Sequence, residues 1–121
     1  MEITTVNAAD RFDNVEFDDS TWDGTARSIY SVYTCPRCGE RICFEKRNFE
    51  NAKRRHQTNL LPDIARCFDE LAAENARRMQ DFLDWYCPTC GLAARVYVEF
   101  WAGGRYEGGV KLATVFETTP Q

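Results

Sequence analysis

The sequence predicts an α+β fold in which an antiparallel β-sheet carries a helical hairpin between two cysteine pairs. Three observations lead there. The pentapeptides CPRCG (Cys35 to Gly39) and CPTCG (Cys87 to Gly91) are near copies. Sequence of strand type flanks both copies. The 48 residues between the pairs hold the most helix-like composition of the chain. All 121 residues are expected to form one domain: an acidic segment 1–26, a β part over 27–46 and 87–117, and a helical insertion 47–86.

Each element follows from local pattern. Residues 1–26 scatter the apolar anchors Ile3, Val6, Phe12, Val15, Phe17 and Trp22 among turn formers. Only Asn14 to Asp18 alternates like a strand there, and the remainder reads as loop held by those anchors. RSIYSVYT (27–34) is rich in β-branched and aromatic types and reads as a strand entering the first cysteine pair. Arg41 to Lys46 alternates apolar and polar residues, giving a second strand.

In the insertion, Asn48 to Gln57 predicts a first helix with Asn48 as its N-cap and Lys53, Arg54 and Arg55 on a polar face. Pro62 opens a second, longer helix, because proline in a first turn has no N–H to lose. Ile64, Phe68, Leu71, Met79, Phe82 and Tyr86 form its apolar stripe at three- and four-residue steps, interrupted at Asn75.

After Gly91 the period becomes two. Val96, Val98 and Phe100 are expected on one face, with Tyr97, Glu99 and Trp101 on the other. Ala102 to Arg105 signals a turn. In the returning strand, Val110, Leu112, Thr114 and Phe116 alternate with Lys111, Ala113, Val115 and Glu117, and Gly108-Gly109 marks a bulge or kink. Thr118 to Gln121 reads as a tail.

The chain has 19 acidic residues against 15 lysines and arginines, a formal charge of −4. Residues 1–34 carry seven of those acids and two arginines, so this quarter alone contributes −5. Four thiolates around one divalent ion would add −2, bringing the folded protein near −6. That sign disfavours a general nucleic-acid binder, whose affinity rests on cationic contacts to phosphates. MEITTVNAAD has neither a basic nor an apolar signal region, and no later run is long enough to span a membrane. The expectation is a cytoplasmic protein whose cysteines stay reduced, where paired cysteines point to metal rather than disulfides.

The C-x-x-C gap lets both sulfurs reach one ion from a tight turn. Proline after the first cysteine presets φ, and glycine after the second takes positive φ at low cost, aiming backbone N–H groups at the sulfurs. Cys35, Cys38, Cys87 and Cys90 are therefore the predicted ligands of one tetrahedral zinc per chain. Four protein ligands leave no open coordination position, so the expected role is structural. Iron on the same sulfurs, passing electrons, is the competing reading.

CPRCG and CPTCG with strands beside them resemble the two knuckles of a zinc ribbon, the rubredoxin-like arrangement, over about 35 residues. The resemblance implies that those four cysteines are the ligands. It covers neither the acidic segment nor the insertion, and zinc ribbons serve many unrelated functions.

The remaining candidates have plainer readings. Cys43 is expected to be a structural or partly exposed thiol, and Cys67 a small hydrophobe beside the helix stripe. His56, the single histidine, reads as the solvated end of a short helix. The basic run Lys46, Arg47, Lys53, Arg54, Arg55 is diluted by Glu45 and Glu50 and reads as a solvated face. Asp81 and Asp84 have no identifiable partner. With no Ser-His-Asp set, HExxH or phosphate loop, no enzyme is expected. Asp13, Glu16, Asp18, Asp19 and Asp23 interleave with aromatics including Trp22, and two readings stay open for them: an ordinary acidic surface, or a docking face for a basic protein. The expected function is thus a zinc-stabilised binding protein, such as an inhibitor, immunity protein or adaptor. A nucleic-acid-associated zinc ribbon is the alternative, and an iron electron carrier a further one.

Overall fold

The computed structural model describes residues 2–18, 30–51, 58–74, 81–102 and 108–118. The chain runs β1 (Ile3–Asn7), a short 3₁₀ turn (Ala8–Asp10), β2 (Glu16–Asp18), β3 (Tyr30–Thr34), β4 (Arg41–Glu45), α1 (Lys46–Glu50), α2 (Pro62–Glu74), β5 (Asp81–Tyr86), β6 (Ala93–Ala102) and β7 (Gly108–Thr118). Among the described residues it is an α+β fold, mostly antiparallel sheet with one helix longer than two turns. No helix among the described residues is long and apolar enough to cross a membrane.

The strands form two sheets rather than one. The larger has the order β1-β7-β6-β5, with β2 also on β7, and β3 pairs with β4 as a separate two-stranded sheet. The long strand β7 pairs with β6 on one edge. Along its other edge it takes β1 at positions 114–118 and β2 at positions 109–111. The strand before the first cysteine pair and the strand after the second therefore lie in different sheets. A bridge between Phe12 and Tyr33, with the Asp13 N–H donating to Val32 O and the Thr34 N–H to Arg11 O, fixes the outer edge of β3 to the N-terminal segment.

Both faces of the large sheet are covered, which explains its composition. On one face Ala94, Val96, Val98, Val110, Leu112 and Val115 pack with Phe12, Phe17, Tyr33, Phe49 and Trp85. On the other, Ala93, Tyr97 and Phe116 meet Leu60, Ala65 and Phe68 of α2 and its approach. Burying an aromatic of this size contributes roughly 1.5–3 kcal/mol, so Phe68 and Phe116, both inaccessible to water, do much to dock α2.

Four expectations are corrected. The predicted helical hairpin is not formed as such. Among the described residues its first helix is α1, capped by Glu45 rather than Asn48, and Asn48 instead occupies the third helical position, where its Oδ1 accepts the Glu45 N–H. Residues 52–57, including Lys53, Arg54, Arg55 and His56, lie outside the described residues. The second helix is described over Pro62–Glu74, Met79 of its predicted stripe lies outside the described residues, and Phe82 and Tyr86 stand on strand β5 rather than on a helix. Their spacing continues the helical stripe, but Phe82 and Tyr86 belong to the α2 side of the sheet while Leu83 and Trp85 belong to the other. A strand apolar on both faces shows no polar–apolar alternation.

The third correction concerns β7. From Val96 to Val98 on β6, the partner moves from Val115 to Leu112, so β7 contains one extra residue near Ala113-Thr114. This bulge shifts the side-chain parity. Val115 and Glu117 thereby join the face of Val110 and Leu112, and Phe116 turns to α2. Gly108 and Gly109 pair regularly with Ala102 and Trp101. Fourth, Ile3–Asn7, expected as loop, is a strand, because β7 supplies its backbone partners.

Candidate metal centre

The two pentapeptides form turns with the same hydrogen bonds. In the first, the Cys35 N–H donates to Glu40 O at 2.8 Å and the Gly39 N–H to Cys35 O at 2.9 Å. In the second, the Cys87 N–H donates to Leu92 O at 2.8 Å and the Gly91 N–H to Cys87 O at 2.9 Å. Gly39 and Gly91 have φ of 78° and 77°, a left-handed conformation that costs other residues energy. In each turn, backbone N–H groups of the second and third residues after the first cysteine face its sulfur: Arg37 and Cys38 toward Cys35, Thr89 and Cys90 toward Cys87. Across the turns, Thr89 Oγ1 donates to Glu40 Oε2 at 3.0 Å.

The turns bring Cys35, Cys38, Cys87 and Cys90 together, with all four sulfurs within 4.8 Å of one another. Cys35 Sγ lies 3.6 Å from Cys90 Sγ, and Cys38 Sγ lies 3.5 Å from Cys87 Sγ. A tetrahedron with zinc–sulfur bonds near 2.3 Å has sulfur–sulfur edges of about 3.8 Å, so the donor set fits such an ion. Cys35 and Cys87 are buried, Cys90 is half-buried and Cys38 is exposed.

The bare sulfurs resist common ionisation. Burial pushes the Cys35 thiol up, ahead of the N–H groups that favour its thiolate. At Cys38 the Glu40 N–H pulls downward, yet desolvation and the neighbouring sulfurs win and the thiol is pushed up to about 12. Burial also acts upward on Cys87, but there the Cys90 and Thr89 N–H groups and two neighbouring thiols prevail and lower it to about 7. The Cys87 thiolate forms readily while Cys35 and Cys38 hold their protons. A divalent cation removes that conflict, since thiolate, not thiol, is the metal ligand.

The other candidates fall elsewhere. Cys43 is exposed on β4 and Cys67 half-buried on α2, and neither joins the cluster. Asp13 is exposed, but its Oδ1 accepts the Val32 N–H at 2.8 Å, so it serves the β3 edge. Glu16 is exposed on β2 in register with Lys111, which also faces Glu99 of β6. Asp18 ends β2. Asp19, Trp22 and Asp23 lie outside the described residues.

Sequence reasoning missed two buried charge networks. On the side of the sheet that packs Cys35 and Cys87, Glu117 accepts Arg11 Nε at 3.0 and 2.9 Å and the hydroxyl of Tyr33. On the α2 side, Arg95 donates to both oxygens of Asp84 and to Asp69 Oδ1, and its guanidinium lies 3.7 Å from the centre of the Phe82 ring. The one available clue was an arginine inside the otherwise apolar run Leu92 to Val98. The chain matches no protein-family model, no curated protein and no solved structure.

Proposed function

We propose that Cys35, Cys38, Cys87 and Cys90 hold one structural zinc per chain, in a zinc-ribbon-like clasp, and that the protein acts by binding a basic protein partner. The observation that carries the metal reading is the convergence of four sulfurs from two matching turns, with backbone N–H groups around them. Four sulfur donors complete a tetrahedron, and a zinc with no open position organises a fold rather than activating water.

The partner reading is supported by charge. The N-terminal quarter carries −5, and Glu16 presents its carboxylate to solvent on β2. Complementary charge raises association rate and specificity for a basic partner. An inhibitor, immunity protein or adaptor for a protein that handles nucleic acid is the concrete form.

Native mass spectrometry of freshly purified protein tests both parts. The expected result is one zinc ion per chain, and capture of a basic protein at low salt that weakens when Asp18 and Asp19 are both changed to lysine. Metal-free protein refutes the clasp, and a red iron-loaded protein refutes zinc. Capture indifferent to charge reversal and to salt refutes the docking face.

A further inference from the structure

The sulfur cluster contains an asymmetry that a purely structural clasp does not need. Of its two sulfur–sulfur contacts across the turns, Cys38 to Cys87 at 3.5 Å joins an exposed sulfur to a buried one. Cys35 to Cys90 at 3.6 Å joins a buried sulfur to a half-buried one. Each contact therefore pairs the more exposed cysteine with a buried one, a division that the within-turn pairs share, so the choice of partner rests on these short approaches across the turns. Disulfide formation through a sulfenic acid needs this division: an accessible sulfur takes the oxygen, and a protected thiolate resolves it.

We propose that the clasp is a redox latch with a second closed state, in which a hydroperoxide expels the metal and the disulfides Cys38–Cys87 and Cys35–Cys90 hold the two turns together. The proposal rests on the zinc reading, because the bound ion is what holds Cys38 and Cys35 as thiolates. The Cys38 thiolate attacks the peroxide and the O–O bond breaks, giving a sulfenic acid and one hydroxide. The Cys87 thiolate then attacks the Cys38 sulfur, the S–S bond forms, and a second hydroxide leaves. Solvent protons convert both hydroxides to water. The two cysteines together lose two electrons and the peroxide gains them. A second peroxide oxidises Cys90, and Cys35 resolves it in the same way. With its thiolates consumed, the divalent ion passes to solvent.

Pairing across the turns matters because the alternative has the opposite consequence. Disulfides within each C-x-x-C would leave Cys35–Gly39 and Cys87–Gly91 without a covalent tie at the ends of the 39–86 segment. Disulfides across the clasp preserve the junction that the metal made.

Trypsin separates the two outcomes, because Arg37 lies between Cys35 and Cys38. The test uses full-length protein with Cys43→Ser and Cys67→Ser, treated with two equivalents of hydrogen peroxide. A colorimetric chelator follows zinc release, and digestion without reductant follows pairing. The expected result is stoichiometric release, with peptides 28–37 and 38–41 each linked to peptide 79–95. Fragmentation should place Cys90 with Cys35 and Cys87 with Cys38. Dithiothreitol with zinc should restore the starting form. The oxidised protein should keep a cooperative thermal transition that chelated, reduced protein lacks. Linkage of peptide 28–37 to 38–41, overoxidation of Cys38 without disulfides, or loss of the cooperative transition would overturn the latch. If the purified protein holds no zinc, the metal reading fails, while peptide mapping of the peroxide-treated metal-free chain still decides the pairing.

Discussion

Arg95 and Asp84 face each other across the β5–β6 ladder as a two-pronged ion pair, Nε to Oδ1 at 2.7 Å and Nη2 to Oδ2 at 3.0 Å, with 1% and 0% of their side chains exposed. Asp69, 63% exposed on α2, caps the same guanidinium from outside. Removing one partner of such a pair strands a buried charge. Asp84→Ala should cost about 3–5 kcal/mol in urea unfolding, whereas Asp84→Leu combined with Arg95→Met should cost about 1 kcal/mol or less. Equal losses in the single and double variants would show that packing, not charge, sets the cost.

Tyr33 predicts a pH dependence. Burial, then its hydrogen bond to Glu117, raises the phenol well above its ordinary value of 10.0. The unfolded chain loses that proton near pH 10 while the folded chain keeps it. The contribution is therefore fully present below about pH 10 and declines as pH rises further. Tyr33→Phe should cost roughly 1.5–3 kcal/mol at pH 7, as expected for a hydrogen bond to a charged group. The gap between parent and variant should narrow above pH 10. Because the cysteines and Tyr97 are common to both proteins, a gap constant to pH 11 would refute the assignment.

At Gly39 and Gly91 an added Cβ meets nothing within 4 Å, so the obstacle to substitution is φ alone. Each glycine-to-alanine change should lower the stability of zinc-loaded protein by about 1–2 kcal/mol. Asparagine, which tolerates this region better, should cost less. Thermal melts of the four variants check the order.

Helix α2 should be docked chiefly through Phe68, and the exposed Leu61 just before it should matter little. Phe68→Ala is expected to cost about 3–5 kcal/mol, since Phe68 is wholly buried beside Phe116 and Arg95. Leu61→Ala, at a residue 64% exposed, should stay within about 0.5 kcal/mol. Chemical denaturation of both variants tests the contrast.

The cysteine cluster was legible because its information is local: spacing, proline and glycine each act within five residues. The hairpin of β6 and β7 was legible for the same reason. Strand β5 was not, because Phe82 and Tyr86 extend the helix spacing of Phe68 and Leu71 while both faces of the strand are apolar. Asn75, which breaks that stripe, was the available warning. Residues 3–7 show little strand pattern of their own, and their pairing is supplied by residues more than a hundred positions away. The same distance hid the partnership of Arg11 with Glu117, and the partners of Arg95 come from two elements whose arrangement the sequence does not display.

Strand β7 also sets an order of events during synthesis. β1, β2 and β6 all find their backbone partners on it, and Glu117 completes the contact with Arg11 and Tyr33. The two cysteine turns are complete by Gly91, but nearly thirty further residues must leave the ribosome before β1 has anything to pair with. For that interval the nascent chain can own a closed clasp and an unfinished sheet. Until β7 has left the ribosome, Phe12, Phe17 and the inner face of β6 lack the strand that covers them.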